Sequence, residues 1–223
     1  MKLLITFLLL FMAYNTTAQV AIINDKDGFT NVRKVADATS EVIYKLKNNQ
    51  VFWYGQEDYH SKGVEWIMIE IPKNDFSIEC GSLNNLYGYV HKSRIQPINT
   101  LAQYKEIDVQ FLYDTKPFSE EDKIIDYQNN HIVTINGLYP RGTNGNKPKT
   151  ETEKLTITIK GIKIDVPQIL ISDIYECTND FNIYKNEETY FAHQWNSDGA
   201  GAYEIVWVIT DNEIKQRLVG TVQ

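Results

Sequence analysis

Two cysteines and four histidines carry the nucleophilic and metal-ligating chemistry of this 223-residue chain. A cysteine nucleophile needs its thiolate held near a helix start or a cation, with a base within reach. Cys177, with His193 or His131 as base, is the pair that cysteine-peptidase chemistry would use. Glu176 and Asp180 flank that cysteine and oppose the thiolate, and the segment follows a predicted helix rather than opening one. His60, His91, His131 and His193 are scattered, and no Cys, His and acid cluster has the spacing of a metal site. No G-x-S-x-G elbow, H-E-x-x-H helix or glycine-rich phosphate loop is present. The expectation is no catalytic set, no metal and no cofactor.

Polar and aromatic groups offer binding chemistry instead. Asp25, Lys26, Asp27 and Gly28 open like a calcium loop, but Ala36 stands where such a loop needs its bidentate glutamate, so a turn before a strand is expected. Asn196, Asp198, Gly199 and Gly201 combine oxygen ligands with a flexible backbone, the chemistry of a polar ligand site and equally of a hairpin tip. Trp53, Tyr54, Tyr59, Trp66, Tyr87 and Tyr89, with Phe52, crowd a short part of the chain. Strand alternation points Trp53 away from the face of Phe52 and Tyr54, so not all of these rings can enter one core. Rings left in solvent near Glu57, Asp58 and Glu65 suit a peptide or glycan carrying amines. The competing use is to cover the join with a second domain.

The elements that must position these groups are mostly strands. Short runs rich in Val, Ile, Tyr, Phe and Trp alternate with Asn, Asp, Gly and Lys clusters. Strands are predicted near residues 20–23, 30–33, 41–46, 51–56, 66–71 and 88–91, with a turn at residues 47–50. That density of strands and tight turns predicts a small barrel. A linker is expected over residues 98–106 after Pro97, and a second, β-rich α+β domain over residues 107–223. There, residues 107–113 read as a strand and residues 116–127 as a short helix or irregular segment. Residues 138–150 read as a long loop with little to bury. Residues 155–160 and 162–166 form a hairpin around Gly161. Pro167 opens one short helix, and residues 181–184, 189–195, 203–209 and 214–219 form a four-strand meander.

The order Asp27-Gly28-Phe29-Thr30-Asn31-Val32-Arg33, then Val42-Ile43, Trp66-Ile67-Met68-Ile69 and Gly88-Tyr89-Val90, resembles a bacterial SH3 (SH3b) domain over residues 20–97. The chain departs from that pattern at residues 72–87, which are longer than the usual turn and contain Cys80. Such an insertion is either a recognition element or a tolerated surface loop. The stretch 139–217, with its Gly142-Thr143-Asn144-Gly145-Asn146-Lys147-Pro148 and Asn196–Trp207 segments, is similar to a domain of unknown function that follows SH3b modules in exported Bacteroidetes-type proteins. The resemblance implies a wall-associated role: an SH3b module recognising cell-wall peptide or a protein partner. A cysteine-peptidase-like wall hydrolase and an inhibitor or immunity protein are the alternatives.

Residues 1–18 read as a signal peptide, with Lys2, an apolar run over residues 3–14 and a small-residue exit at Ala18. That run is too short for a bilayer core, which needs about 20 apolar residues, and no later stretch is longer, so the mature chain is not expected to span a membrane. Periplasmic or extracellular residence follows. The net charge is −7, and losing Lys2 with the leader makes it one unit more negative. Nucleic acid is therefore not an expected partner, because phosphate binding needs a basic footprint. Cys80 and Cys177 are either one interdomain bridge or two buried thiols. The oligomeric state is left open.

Overall fold

The computed structural model describes residues 19–78, 85–197, 199–210 and 212–221. It is mostly β, built from antiparallel sheets with one short α-helix. The front lobe contains β1 (Val20–Ile23), β2 (Phe29–Arg33), β3 (Val42–Lys47), β4 (Phe52–Tyr54), α1 (Gln56–His60), β5 (Trp66–Pro72), β6 (Asn85–His91) and β7 (Ile95–Pro97). Its seven strands make one sheet in the order β3-β2-β6-β5-β4-β1-β7. Leu46 near one edge and Ile95 at the other belong to the same buried cluster as Phe52, Ile67, Ile69 and Val90. A sheet whose two edges share one dry core has rolled around it, as the predicted barrel requires. The turn expected at residues 47–50 is present, with Asn49 in the left-handed region at φ 64°.

The rear lobe follows with β8 (Val109–Pro117), β9 (Ile125–Gln128), β10 (His131–Ile135), β11 (Thr150–Ile159) and β12 (Ile162–Ile164). The meander is β13 (Asn182–Asn186), β14 (Thr189–Asn196), β15 (Tyr203–Ile209) and β16 (Ile214–Thr221), paired in that order. The expected hairpin around Gly161 is β11–β12, and β8 pairs along the other edge of β11. Residues 125–135 form a hairpin that the charged composition of this stretch did not suggest. Its two central residues, Asn129 and Asn130, both have positive φ, the conformation a two-residue primed turn demands. The helix expected after Pro167 is a single 3-10 turn at Gln168–Leu170. Ile174 then bridges Arg141 and Tyr175 bridges Glu151 in extended fashion, and Ile171 and Ile174 are buried.

The meander is the central layer. Tyr203, Ile205, Trp207 and Ile209 of β15 pack against Tyr113, Leu155, Ile157 and Ile159 of the three-stranded sheet. Val206 and Val208, on its opposite face, meet Val20, Ile22, Val51 and Ile98 of the front lobe. Every residue of β15 is buried, which is why Tyr-Glu-Ile-Val-Trp-Val-Ile reads as an almost continuous apolar run. β1 is also buried on both faces, with Val20 and Ile22 at the join and Ala21 and Ile23 in the barrel core.

Polar stitches lock the two lobes. The Gln216 side chain donates to the Val51 carbonyl and accepts from its N–H, both at 2.8 Å. Asn49 and Asn186 share a side-chain bond of 2.7 Å. Residues 98–106 are no free tether: Ile98 is fully buried, and the Tyr104 and Lys185 N–H groups donate to Ile183 and Ala102 across to β13. The described start of the insertion after β5, residues 73–78, is tied to the rear lobe. Phe76 and Ile78 pack on the rear core, the Arg217 N–H donates to Asp75 at 2.8 Å, and its guanidinium donates to the Phe76 carbonyl at 3.0 Å.

Candidate functional site

The outer face of β5 and β6 gathers three of the predicted rings. In β5, Ile67, Ile69 and Ile71 point into the barrel core, so Trp66, Met68 and Glu70 point outward. Antiparallel register sets Trp66 opposite His91, Met68 opposite Tyr89 and Glu70 opposite Tyr87, and Tyr89 is also opposite Arg33 of β2. Met68 is 47% exposed and Tyr87 46%, with Trp66, Tyr89 and His91 half-buried between them. The Trp66 and His91 rings meet edge to face with centroids 5.5 Å apart. Glu65 is exposed one residue ahead of Trp66, and Glu70 accepts a hydrogen bond from Asn85.

This row can form because β2 crosses close behind β6 at Gly88. A Cβ there would lie 2.5 Å from Val32 Cγ1 and 2.9 Å from the Arg33 carbonyl, contacts no side chain tolerates. Chemically, the face offers ring surfaces for apolar groups and sugar planes, and carboxylates beside rings for amines. Met68, His91 and Arg33 were missed from sequence. Their signal was the period-2 alternation of β5 and β6, which places them beside Trp66 and Tyr89 once register is known.

The other predicted ligand residues are used elsewhere. Tyr54 is a core residue, only 6% exposed. Trp53 is half-buried at the join, where it packs on the cluster shared by Val206 and Leu218. Tyr59 lies on α1 against the core, its ring 5.4 Å from that of Tyr54 and under the Lys92 ammonium at 5.2 Å. Asn196 is buried, not a ligand group at a hairpin tip. Its carbonyl accepts from the Thr178 N–H and its amide donates to Gln194, so its hydrogen-bonding capacity is consumed within the fold. Asp198 lies outside the described residues.

The candidate nucleophile and base have separate partners. The Cys177 thiol bonds Thr152 at 3.3 Å, and burial pushes its pKa up, the reverse of activation. His193 Nε2 lies 2.8 Å from Glu204 in a buried pair. Cys177 is a free thiol, and Cys80 lies outside the described residues. Asp25 makes the expected turn, accepting from Asp27 N–H and pairing with Arg94 at 3.2 Å. Among the described residues no group of three His, Cys, Asp or Glu side chains converges to hold a metal ion, and no helix is long and apolar enough to cross a membrane.

A concavity lies on the rear lobe between β10 and the segment after Tyr139. It has a volume of about 580 Å³ and is lined by His131, Thr134, Tyr139, Asn144 and Asn146 among others. The segment 138–150, expected to bury little, is anchored there by Arg141 and Thr143, both buried. No family model, curated protein or solved structure matches the chain.

Proposed function

We propose that this is an exported, non-enzymatic binding protein whose front lobe, an SH3b-like module, recognises cell-wall peptide or a protein partner through the outer face of β5 and β6. The observation that carries the reading is the row of Trp66, Met68, Tyr87 and Tyr89 on one sheet surface, none of them part of a buried cluster among the described residues. A contiguous row of large apolar groups on an outer face is the signature of a contact surface, whereas scattered ones are ordinary. Aromatic rings there stack on a ligand at little entropic cost, having few rotatable bonds.

The test is retention of the mature protein on purified peptidoglycan. Wild type is retained, and Trp66→Ala and Tyr87→Ala proteins that keep their folding transition lose most of that retention. A wild type that washes through removes the wall ligand from the proposal. Retention unaffected by either substitution removes this face.

A further inference from the structure

Glu204 sits at the join between the lobes with its side chain fully buried, and no lysine or arginine among the described residues pairs with it. Its hydrogen-bond partners among the described residues are His193 Nε2 at 2.8 Å and the backbone nitrogen of Gln19 at 3.4 Å. His193 Nδ1 is buried with no partner. A buried carboxylate is stabilised by a counter-charge, and among the described residues no lysine or arginine offers one here.

Gln19 is also the residue that follows the expected leader exit at Ala18. We propose that leader removal places a cation beside this buried acid, and that Glu204 is a built binding site for the α-ammonium of Gln19. This rests on the export reading above. A leader peptidase adds water across the Ala18–Gln19 bond, leaving the carboxylate on the leader and the amine, which takes a proton, on Gln19. One amide N–H beside Glu204 becomes a cation with three donors. The position is held from its other side, because the Gln19 carbonyl accepts from the Tyr54 N–H at 3.1 Å and the next residue, Val20, is paired with Trp53. Cleavage thus completes the joint between the first strand of the front lobe and β15 of the rear lobe.

The site has a chemical readout. A free N-terminal glutamine cyclises when its amine attacks its own side-chain carboxamide carbon, forming the lactam C–N bond and releasing ammonia. An amine held protonated on Glu204, in an extended backbone, is withdrawn from that attack. Protein recovered after export is first analysed by intact mass and N-terminal sequencing, and a terminus at Gln19 with its amine free is expected. Protein prepared to begin at Gln19 is then followed by mass for ammonia loss, beside Glu204→Gln and beside the same chain in denaturant. Cyclisation in the folded wild type should be about tenfold slower than in both, the factor one charge-assisted buried hydrogen bond supplies. A chain with one extra alanine before Gln19 keeps Glu204 but displaces the ammonium, and should melt at lower temperature than the mature form. A natural terminus elsewhere overturns the processing step. Equal cyclisation rates in wild type and Glu204→Gln, or, if that variant does not fold, equal melting of the extended and mature chains, overturn the pairing itself.

Discussion

The indole of Trp53 lies on Gly220. A Cβ added to that glycine would come within 2.7 Å of Trp53 Cζ2 and 3.2 Å of Cε2, so the last strand of the meander keeps a bare backbone where the front lobe lays its ring. Gly220 is in turn paired with Glu204, which places the ring, the buried acid and the start of β1 around one spot. Trp53 is therefore a joint residue, and its substitution should read out as stability.

Trp53→Ala is expected to cost about 3 kcal/mol, the lower end for removing a large buried ring because this one is only half-buried. Gly220→Val, which forces a branched side chain into the ring, should cost about 1–3 kcal/mol. Tyr87→Ala on the exposed face should stay within about 0.5 kcal/mol. Urea unfolding of the three variants checks the order, and a Tyr87 variant as unstable as the Trp53 variant would contradict the assignment of faces.

Asp173 stands between two buried arginines. It accepts from Arg217, whose side chain is fully buried under the Trp207 ring at 5.6 Å, and it pairs with Arg141 at 3.4 Å. Desolvation lowers the Arg141 pKa, an effect that Asp173 opposes. Asp173→Ala leaves both guanidinium groups without their carboxylate and should destabilise by about 3–5 kcal/mol. Arg217 also holds the insertion after β5 through its bonds to Asp75 and Phe76, so proteolytic nicking near Phe76 should rise in the same variant. Limited digestion with mass mapping measures this, and unchanged cutting would separate the loop from the charge cluster.

Burial pushes the Tyr54 hydroxyl up to about 12, and burial also raises Tyr113, Tyr175, Tyr184 and Tyr203. In each case the folded state favours the neutral phenol, so the unfolded chain releases its proton first. The stability tied to these groups is whole below about pH 10, the ordinary tyrosine value, and is lost as pH climbs through the raised values. Unfolding monitored across alkaline pH should show a flat region, then a decline beginning above about pH 10 with tyrosinate absorbance appearing together with loss of structure. Tyrosinate signal from every tyrosine of a still-folded protein would refute it.

The Cys177 thiol should alkylate slowly at neutral pH, since burial raises its pKa from an ordinary value of 9.0 and its sulfur is bonded to Thr152. Peptide mapping after timed alkylation distinguishes it from Cys80. Labelling in the native protein as fast as in denaturant would mean an open, activated thiol.

Strand identity was legible because it is written in local periodicity. Residues 20–23, 203–209 and the Gly161 hairpin read correctly from alternation or from apolar runs. The Asn129-Asn130 turn carried an equally local signal, but the charged flanks of residues 116–127 hid it. After Pro167, the spacing of Ile169, Leu170 and Ile174 fits a helix, yet extended bridges from Ile174 and Tyr175 to Arg141 and Glu151 prevailed. Tertiary pairing overrode a weak local preference.

The sequence by itself determined a mostly β chain, the alternation that sets Trp53 apart from Phe52 and Tyr54, and the surplus of rings over what one small core can hold. Only the tertiary structure decided which rings are covered: Trp53 by Gly220, Tyr54 by the barrel core, with Trp66, Tyr87 and Tyr89 left together on an outer face. The reason is that a strand's period assigns side chains to two faces without saying what lies against either. That is settled by partners far along the chain, as when Gln216 reaches back to the backbone of Val51.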